Sequence, residues 1–446
     1  MSYIKDIRIK DFAITAINGD SIGVGFHLRN GKPVDGSGIS GIVRFDYFES
    51  IFNPNVAASI VLTATSQIIS DLPIRGTEKV EFTLTHPSGE PIEFKEELGT
   101  HWVVDGIEEP STSSTQEMIL LRLTTSENIR QELVDNRLTL RYDPSVAINV
   151  HVNSILSNLG TLKEFDIEKT ANSYGFYGNY WRPFKAIYWL AKRATATGGG
   201  DRAGFLFWET KSGYHFKSID TIAATAKESV VQTFKQKESA AENEDSNDYN
   251  IFNPFVEINQ NIVGQLRKRG YGHNTKYFNP YEMPQTFQPE ETIKLSQTFE
   301  KSDSFGTDDY DKKDLGVGDN PTSVDVQPYV SGTMTQDGTV DPSSDSGDPQ
   351  KWGIQSNIKY QQILSQSHRL TVPMNFDLEA GLPINLELIA PNTGLDSSES
   401  GVYLIKDLRH AISFEQGTAE CTTHMRCIRD NYGNEGINTN ITLLNS

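Results

Sequence analysis

Polar and apolar residues alternate over strand-length stretches through most of this chain, with turn residues between the stretches. The opening Met-Ser-Tyr-Ile-Lys-Asp-Ile-Arg-Ile-Lys alternates, and Ile22–Leu28, Gly41–Phe48, Val56–Thr65 and Lys79–Thr85 continue the pattern. Asn30-Gly31, Asn53-Pro54-Asn55 and Pro87-Ser-Gly89 punctuate them, and Ile92–Lys95 and His101–Val104 follow. About six β-strands in this spacing predict a first barrel or sandwich. A second β-unit is predicted near the other end, from His368–Asn375, Leu378–Leu388, Gly401–His410 and Thr418–Arg429. In its third strand Tyr403, Ile405 and Asp407 share one face while Val402, Leu404 and Leu408 share the other. Both faces are mostly apolar, so this strand is expected to be covered on both sides, in a small antiparallel barrel.

Between the two β-units the period changes. Glu108–Thr115 reads as a polar loop, and the strand Glu117–Thr124 leads into helices. Ser126 suits an N-cap for 127–134, and Asp143-Pro144 starts a second helix. There Val152, Ile155, Leu156 and Leu159 follow i, i+3, i+4, i+7, and Gly160 stops it. A third helix starts at Pro183, with Phe184, Ile187, Tyr188 and Ala191 on one face, and ends at the glycines 198–200. The cluster Tyr174, Phe176, Tyr177, Tyr180, Trp181 lies between these helices and is the candidate interface of the chain. Its rings can pack beneath a turn, meet a second protein, or stack on sugar or bases. Arg202–Thr210 and Gly213–Asp220 predict a hairpin turning at Lys211-Ser-Gly213, with Phe205, Phe207, Tyr214 and Phe216 paired across it. Residues 221–235 suit a helix or a strand, 237–248 a loop, and 352–364 a helix. The segment 301–350 combines Asp, Ser, Gly and Pro and reads as an acidic loop or arm.

The length of 446 residues suggests roughly three domains, and a net charge of −19 disfavours bulk binding to DNA phosphates. The same charge suits solubility, or a conduit that lets nucleic acid slide. No apolar run approaches the ~20 residues that span a bilayer. The N-terminus lacks the apolar centre of a signal peptide, so the expectation is a protein made and assembled inside a cell, with no membrane partner. Cys421 and Cys427 on one strand would share a face ~20 Å apart, too far for a disulfide. Gly19-Asp-Ser-Ile-Gly23 matches a nucleophile-elbow pattern but sits between β-like segments, so a hairpin turn is expected. No metalloprotease, P-loop or dinucleotide signature occurs, and the Asp-rich 301–350 lacks the spacing of a calcium loop. The reading is no enzyme, with no catalytic, metal or cofactor-binding residue.

Several of these stretches resemble baseplate (tail) hub proteins of contractile-tailed phages, of the T-even type, and the related hub regions of type VI secretion spikes. Leu370-Thr-Val, the turn Ala380-Gly381 into Ile384-Asn-Leu, Tyr403-Leu-Ile followed by His410, and the Thr418-led strand ending Arg429-Asp430 are similar to the second tube barrel of that family. Phe48-Glu-Ser-Ile-Phe-Asn-Pro54 and Leu72–Val80 look like the first, and the 202–218 hairpin resembles its return from an inserted domain. The resemblance implies a mainly β fold with an α/β insertion: two tube-type antiparallel barrels, peripheral α+β domains and a long acidic loop. The implied units are 1–110 with 202–222, an insertion 111–201, a mixed domain 223–360, a second barrel 361–433 and a tail 434–446. It further implies a homotrimer forming a pseudo-sixfold ring in the virion tail baseplate, assembled in the host cytoplasm. Its partners would be the tail tube, central spike, tape measure and other baseplate proteins, with DNA as passing cargo. The rival expectation is a tail-associated glycan hydrolase or carbohydrate-binding protein that uses the aromatic cluster. A secretion-system spike base is a third.

Overall fold

The computed structural model describes residues 7–34, 39–64, 74, 76–85, 91–112, 117–197, 202–228, 232–236, 250–252, 254–259, 262–268, 349–390, 394–395, 399–415 and 418–430, with short strands at 273–278, 291–293, 323–328, 333–334 and 340–341. Most of the expected acidic arm, and the expected tail 434–446, lie outside the described residues. The fold is mainly β, with α-helices interspersed from residue 126 onward.

Strand Arg8–Thr15 pairs antiparallel with Ser21–Gly23 and with Lys79–Thr85. The turn between the first two holds Gly19 at φ 86°, so the Gly-x-Ser-x-Gly match is a hairpin turn without a following helix. Lys79 and Val80 pair with Val103 and Trp102 at the start of Trp102–Thr112. From there the ladder runs through Glu117–Thr125 and Ala57–Ala64 to Ile39–Ser50. The expected loop 108–115 is therefore strand as far as Thr112, and strand 117–125 belongs to this sheet instead of the insertion. In the C-terminal half, Gly401–Glu415 pairs with Pro383–Glu387 and Thr418–Arg429, and the latter with Gln366–Pro373. Phe255–Asn259 pairs antiparallel with 366–373, whereas Gln232–Gln236 pairs parallel with 383–387 and Asn250–Ile251.

The expectation of two separate antiparallel barrels is corrected at this point. Among the described residues the two halves form one continuous sheet of 17 strands, not a closed barrel. They are stitched by an antiparallel ladder from Asp407↔Ser50 to Ser413↔Arg44. An unpaired row of N–H and C=O groups is costly, and here the edge of one half supplies partners for the other. The N-terminal half curls back on itself through an isolated bridge, Val24↔Ile39, instead of a ladder.

The long strand 401–415 accordingly serves two cores. Tyr403, Ile405 and Leu408 join Met425 and Cys427 in the C-terminal core, while Ile412, Ala419 and Cys421 join Phe45, Phe82 and Trp102 in the N-terminal one. Leu404 and Ile428 point the other way, against Trp208 and Ile363, so this strand is covered on both faces as its sequence predicts, although a bulge between Ile405 and Asp407 moves Leu408 from the expected Leu404 face to that of Tyr403. The two buried thiols sit in different cores, and burial pushes the Cys421 thiol up to about 12.

Helices Ile148–Asn158 and Pro183–Ala191 form a third cluster with the hairpin Phe205–Thr210/Gly213–Ser218. Pro183 occupies the first turn, where its missing N–H costs nothing. The hairpin was expected to rejoin the first barrel; it pairs instead with Phe165–Ile167 in its own three-stranded sheet. Its two faces explain why. Phe205, Phe207, Tyr214 and Phe216 meet the helices, while Leu206 and Trp208 face the junction of the main sheet. Residues 221–235 resolve into both predicted alternatives, helix Ile219–Glu228 and then strand 232–236. Helix Pro349–Gln362 covers the same junction through Tyr360, and Ile363 just after it packs there too.

Candidate functional site

The predicted aromatic interface divides in two. Tyr174, Phe176 and Trp181 pack around Trp189, with ring centroids 5.2, 5.6 and 5.3 Å away. Phe176 also stacks on Tyr142 at 4.3 Å, and the Arg193 guanidinium lies 3.6 Å over Trp189. Tyr177 and Tyr180 are exposed, at 55% and 67%. They flank a tight turn in which the Trp181 N–H donates to the Gly178 carbonyl at 2.8 Å. Asn179 and Tyr180 both adopt left-handed φ, 45° and 55°, as a type I′ turn requires. A tyrosine in that region is held against a cost of roughly 1–3 kcal/mol. A Cβ on Gly178 would lie 2.2 Å from the Leu138 carbonyl, so only glycine fits there. Three of the five rings are thus structural, and Tyr177 and Tyr180, beside the 64%-exposed Leu140, remain as the exposed tip.

A buried polar joint ties the helical region to both halves of the sheet. Glu49, on the inner side of strand 39–50, accepts hydrogen bonds from the Tyr47 hydroxyl (2.7 Å), the Lys211 N–H (2.9 Å) and the Ala380 N–H (2.8 Å). One side chain therefore fastens the N-terminal half, the hairpin turn and the C-terminal turn 376–382. Burial, and next the Glu379 carboxylate, raise its pKa to about 7. Beside it Glu209 accepts from the Val56 N–H at 3.0 Å and from Lys163 at 2.5 Å. Lys163 also reaches Glu127 at 2.9 Å. Glu209 is likewise raised to about 7, by burial above all, with Lys163 opposing.

A Ser–His–Asp set that linear spacing does not reveal lies next to this joint. Ser212 Oγ is 3.2 Å from His215 Nε2, and His215 Nδ1 is 3.4 Å from Asp166 Oδ2. The proton arrangement is wrong for nucleophilic attack. Both Ser212 and Thr210 donate their hydroxyl protons to Glu379 Oε2, at 2.7 and 2.8 Å. With those protons directed at Glu379, neither hydroxyl offers a proton to the imidazole, so His215 is not placed to act as their base. Burial holds the His215 pKa below its usual value, and Asp166 is engaged by Lys217 at 2.5 Å. The set is a polar clamp on the hairpin turn.

The outer face of the main sheet runs across both halves. Register places Arg122, Ser59, Asp46, Ala411 and Thr422 side by side across five strands. A neighbouring row runs Thr124, Ala57, Phe48, Arg409, His424, Thr371. Both rows cross the stitch between the halves. A shallow groove of about 600 Å³ lies there, lined by Phe48, Arg409, His424, Arg426, Arg369 and Phe255 among others. The other side of these strands is core, so the face is a single two-sided layer with one side dry. Among the described residues no group of three or more His, Cys, Asp or Glu could hold a metal, and no helix is long and apolar enough to cross a membrane.

The same arrangement of strands and helices occurs in solved structures along nearly the whole chain. The tail protein from Neisseria meningitidis MC58 matches with a TM-score of 0.53 at 12% identity, covering 94% of this chain and 97% of that one. The 43 kDa tail protein of prophage MuSo2 from Shewanella oneidensis matches with a TM-score of 0.51 at 10% identity, covering 95% and 99%. The chain has the fold of phage tail proteins. No protein-family model and no curated protein matches the sequence. The tail-protein fold is thus carried by pattern and pairing at a level of identity where individual residues are free to differ.

Proposed function

We propose that this chain is a structural baseplate hub of a contractile phage tail, three copies of which close a ring. The fold shared with tail proteins over almost the full length supports this, but the observation that carries it is the stitch 44–50/407–413. It joins two β-units into one sheet with one continuous outer face. Three such sheets set six β-units around an opening, sixfold-like towards the tail tube and threefold towards the central spike. Closed rings dispose of open sheet edges and define an inside.

In this reading each β-unit of the shared sheet serves as one tube segment: 1–110 with strand 117–125, and 361–433 with 232–236 and 250–259. The rows through Asp46 and Phe48 line the opening, the conduit for tape measure and DNA. The helical insertion points outward, and its Tyr177–Tyr180 tip contacts a spike or baseplate neighbour, as exposed tyrosines commonly do at interfaces. The protein then resides in the virion tail baseplate.

Native mass spectrometry of the purified chain tests the proposal. Complexes three times the 49.8 kDa chain mass are expected, and two-dimensional images should show a ring with a central hole. A species that stays monomeric at high concentration, or a closed complex without an opening, refutes it.

A further inference from the structure

Among the described residues the outer sheet face carries five arginines, each within ion-pair distance of one of three carboxylates, two of which are shared. Arg44 Nε lies 2.8 Å from Asp46 Oδ2, and Arg409 Nη2 2.9 Å from Asp46 Oδ1. Arg369 Nη2 and Arg426 Nε reach the two oxygens of Glu257 at 2.6 and 2.5 Å. Arg122 Nη1 meets Glu108 Oε1 at 3.2 Å. The geometry is layered at the two shared acids. Asp46 is 8% exposed beneath guanidiniums that are 43% and 33% exposed, and Glu257 is 17% exposed between side chains that are 62% and 29% exposed. At these two acids the guanidinium-bearing side chains are the more exposed partners, while Asp407, 36% exposed and 3.8 Å from Arg426 Nη1, adds a carboxylate at the surface.

Five unpaired arginines on a flat face would be a phosphate-binding surface. Guanidinium is the preferred planar partner of phosphate, and each phosphate neutralised steepens the salt dependence of binding by about 0.9 in log–log slope. His424, in the middle of the face, adds no charge at neutral pH, because burial and then Arg44 hold its pKa below the usual value.

We propose that this face is a neutralised track for double-stranded DNA, in which Asp46 and Glu257 keep the four guanidiniums they bracket from capturing phosphate. The polyanion then passes over an arginine-bearing wall without being retained. This rests on the reading that the face lines the hub opening, and it goes further by naming the residues that set the wall's affinity.

The test is fluorescence anisotropy of a labelled duplex DNA against the full-length chain, as a function of salt, with native mass spectrometry on each sample. Wild type is expected not to bind at physiological salt. Asp46→Asn combined with Glu257→Gln should bind at least tenfold more tightly than wild type, with a log–log salt slope of roughly −2 to −4. The control Glu97→Gln with Glu164→Gln has the same net charge, removed away from the face, and should not bind. Glu108→Gln frees only the exposed Arg122, leaves folding untouched, and should steepen the slope by about one. Failure of both acid-to-amide variants to gain affinity overturns the proposal, as does tight binding by wild type or by the control. A monomeric wild type whose variants still gain DNA affinity would instead sink the hub reading and leave the charge balance standing.

Discussion

The two sides of strand 39–50 balance buried or half-buried carboxylates in opposite ways. On the outer side Asp46 is held between Arg44 and Arg409. On the inner side Glu49 is surrounded by hydrogen-bond donors, and its nearest charged influence is another carboxylate, Glu379. Burial raises both pKa values, but at Asp46 the Arg44 charge opposes the rise, whereas at Glu49 Glu379 adds to it. One acid is matched by guanidiniums and the other by a proton near neutrality. The inner joint is therefore a part of the molecule whose stability answers to pH near neutrality.

The strongest way to break that comparison is to remove Lys163, which reaches both Glu127 and Glu209. Both carboxylates are at most 1% exposed and Lys163 is 9% exposed. Lys163→Met leaves two acids in a dry site without a cation. Removing one partner of such a set costs about 3–5 kcal/mol. Urea unfolding of the variant at pH 8 should show a loss of this size, with partial recovery at lower pH as a proton replaces the lysine. A loss under 1 kcal/mol would mean that water reaches the joint.

Glu49→Gln sharpens the comparison. A group whose folded pKa is raised stabilises the fold below its unfolded value, here 4.5, and that stability is lost as pH climbs through about 7. At 1.36 kcal/mol per unit the wild type loses about 3 kcal/mol from this group between pH 4 and 8. Glutamine cannot titrate, and it turns an amide N–H2 towards donor groups, so the variant is less stable at pH 5. The gap between the two proteins should narrow as pH rises through 7. A gap that widens over that range would put Glu49 on the ionised side throughout.

These residues also show what the sequence could and could not disclose. The strand pattern, the helix at Pro183, the turn at Asn30-Gly31 and the two-sided burial of 401–408 follow from local periodicity, so they are legible in order. The stitch is not, because Asp407 and Ser50 are more than three hundred positions apart and edge pairing depends on which edges are left open. Glu49, Glu209 and Lys163 read as ordinary surface charges in alternating strands or loops. Only the convergence of three segments on one dry spot gives them their role. The hairpin 205–218 misled for a related reason: its aromatic face was visible, but its second face, Leu206 and Trp208, decides where it docks. At the aromatic cluster, composition flagged the residues and could not separate the three that pack on Trp189 from the two that stay exposed.

The link from that hairpin to the C-terminal half is an intermediate case. Trp208 Nε1 donates to the Ala380 carbonyl at 2.9 Å, and its ring lies over Gly381, where a Cβ would approach to 2.6 Å. Gly381 has φ 94°, a conformation that also excludes a side chain. Trp208→Phe keeps most of the apolar surface and strands one carbonyl, for an expected loss of about 1–3 kcal/mol in thermal or urea unfolding. Rotation of the hairpin away from this contact without a stability change would show that the polar joint alone holds the helical region in place.

The smallest expected effect is on the outer face. Arg122 and Glu108 are each 56% exposed and 3.2 Å apart. Exposed pairs of this kind are worth ~0–1 kcal/mol, because water already solvates both partners and salt screens what remains. Arg122→Ala should shift the urea midpoint by no more than about 0.5 kcal/mol, and the shift should vanish in 1 M salt. Its value lies in the contrast with Lys163→Met: one cation is removed in each case, and only desolvation differs. If the two substitutions cost the same, the strand would not separate a dry charged joint from a wet one, and the pH dependence assigned to Glu49 would need another source.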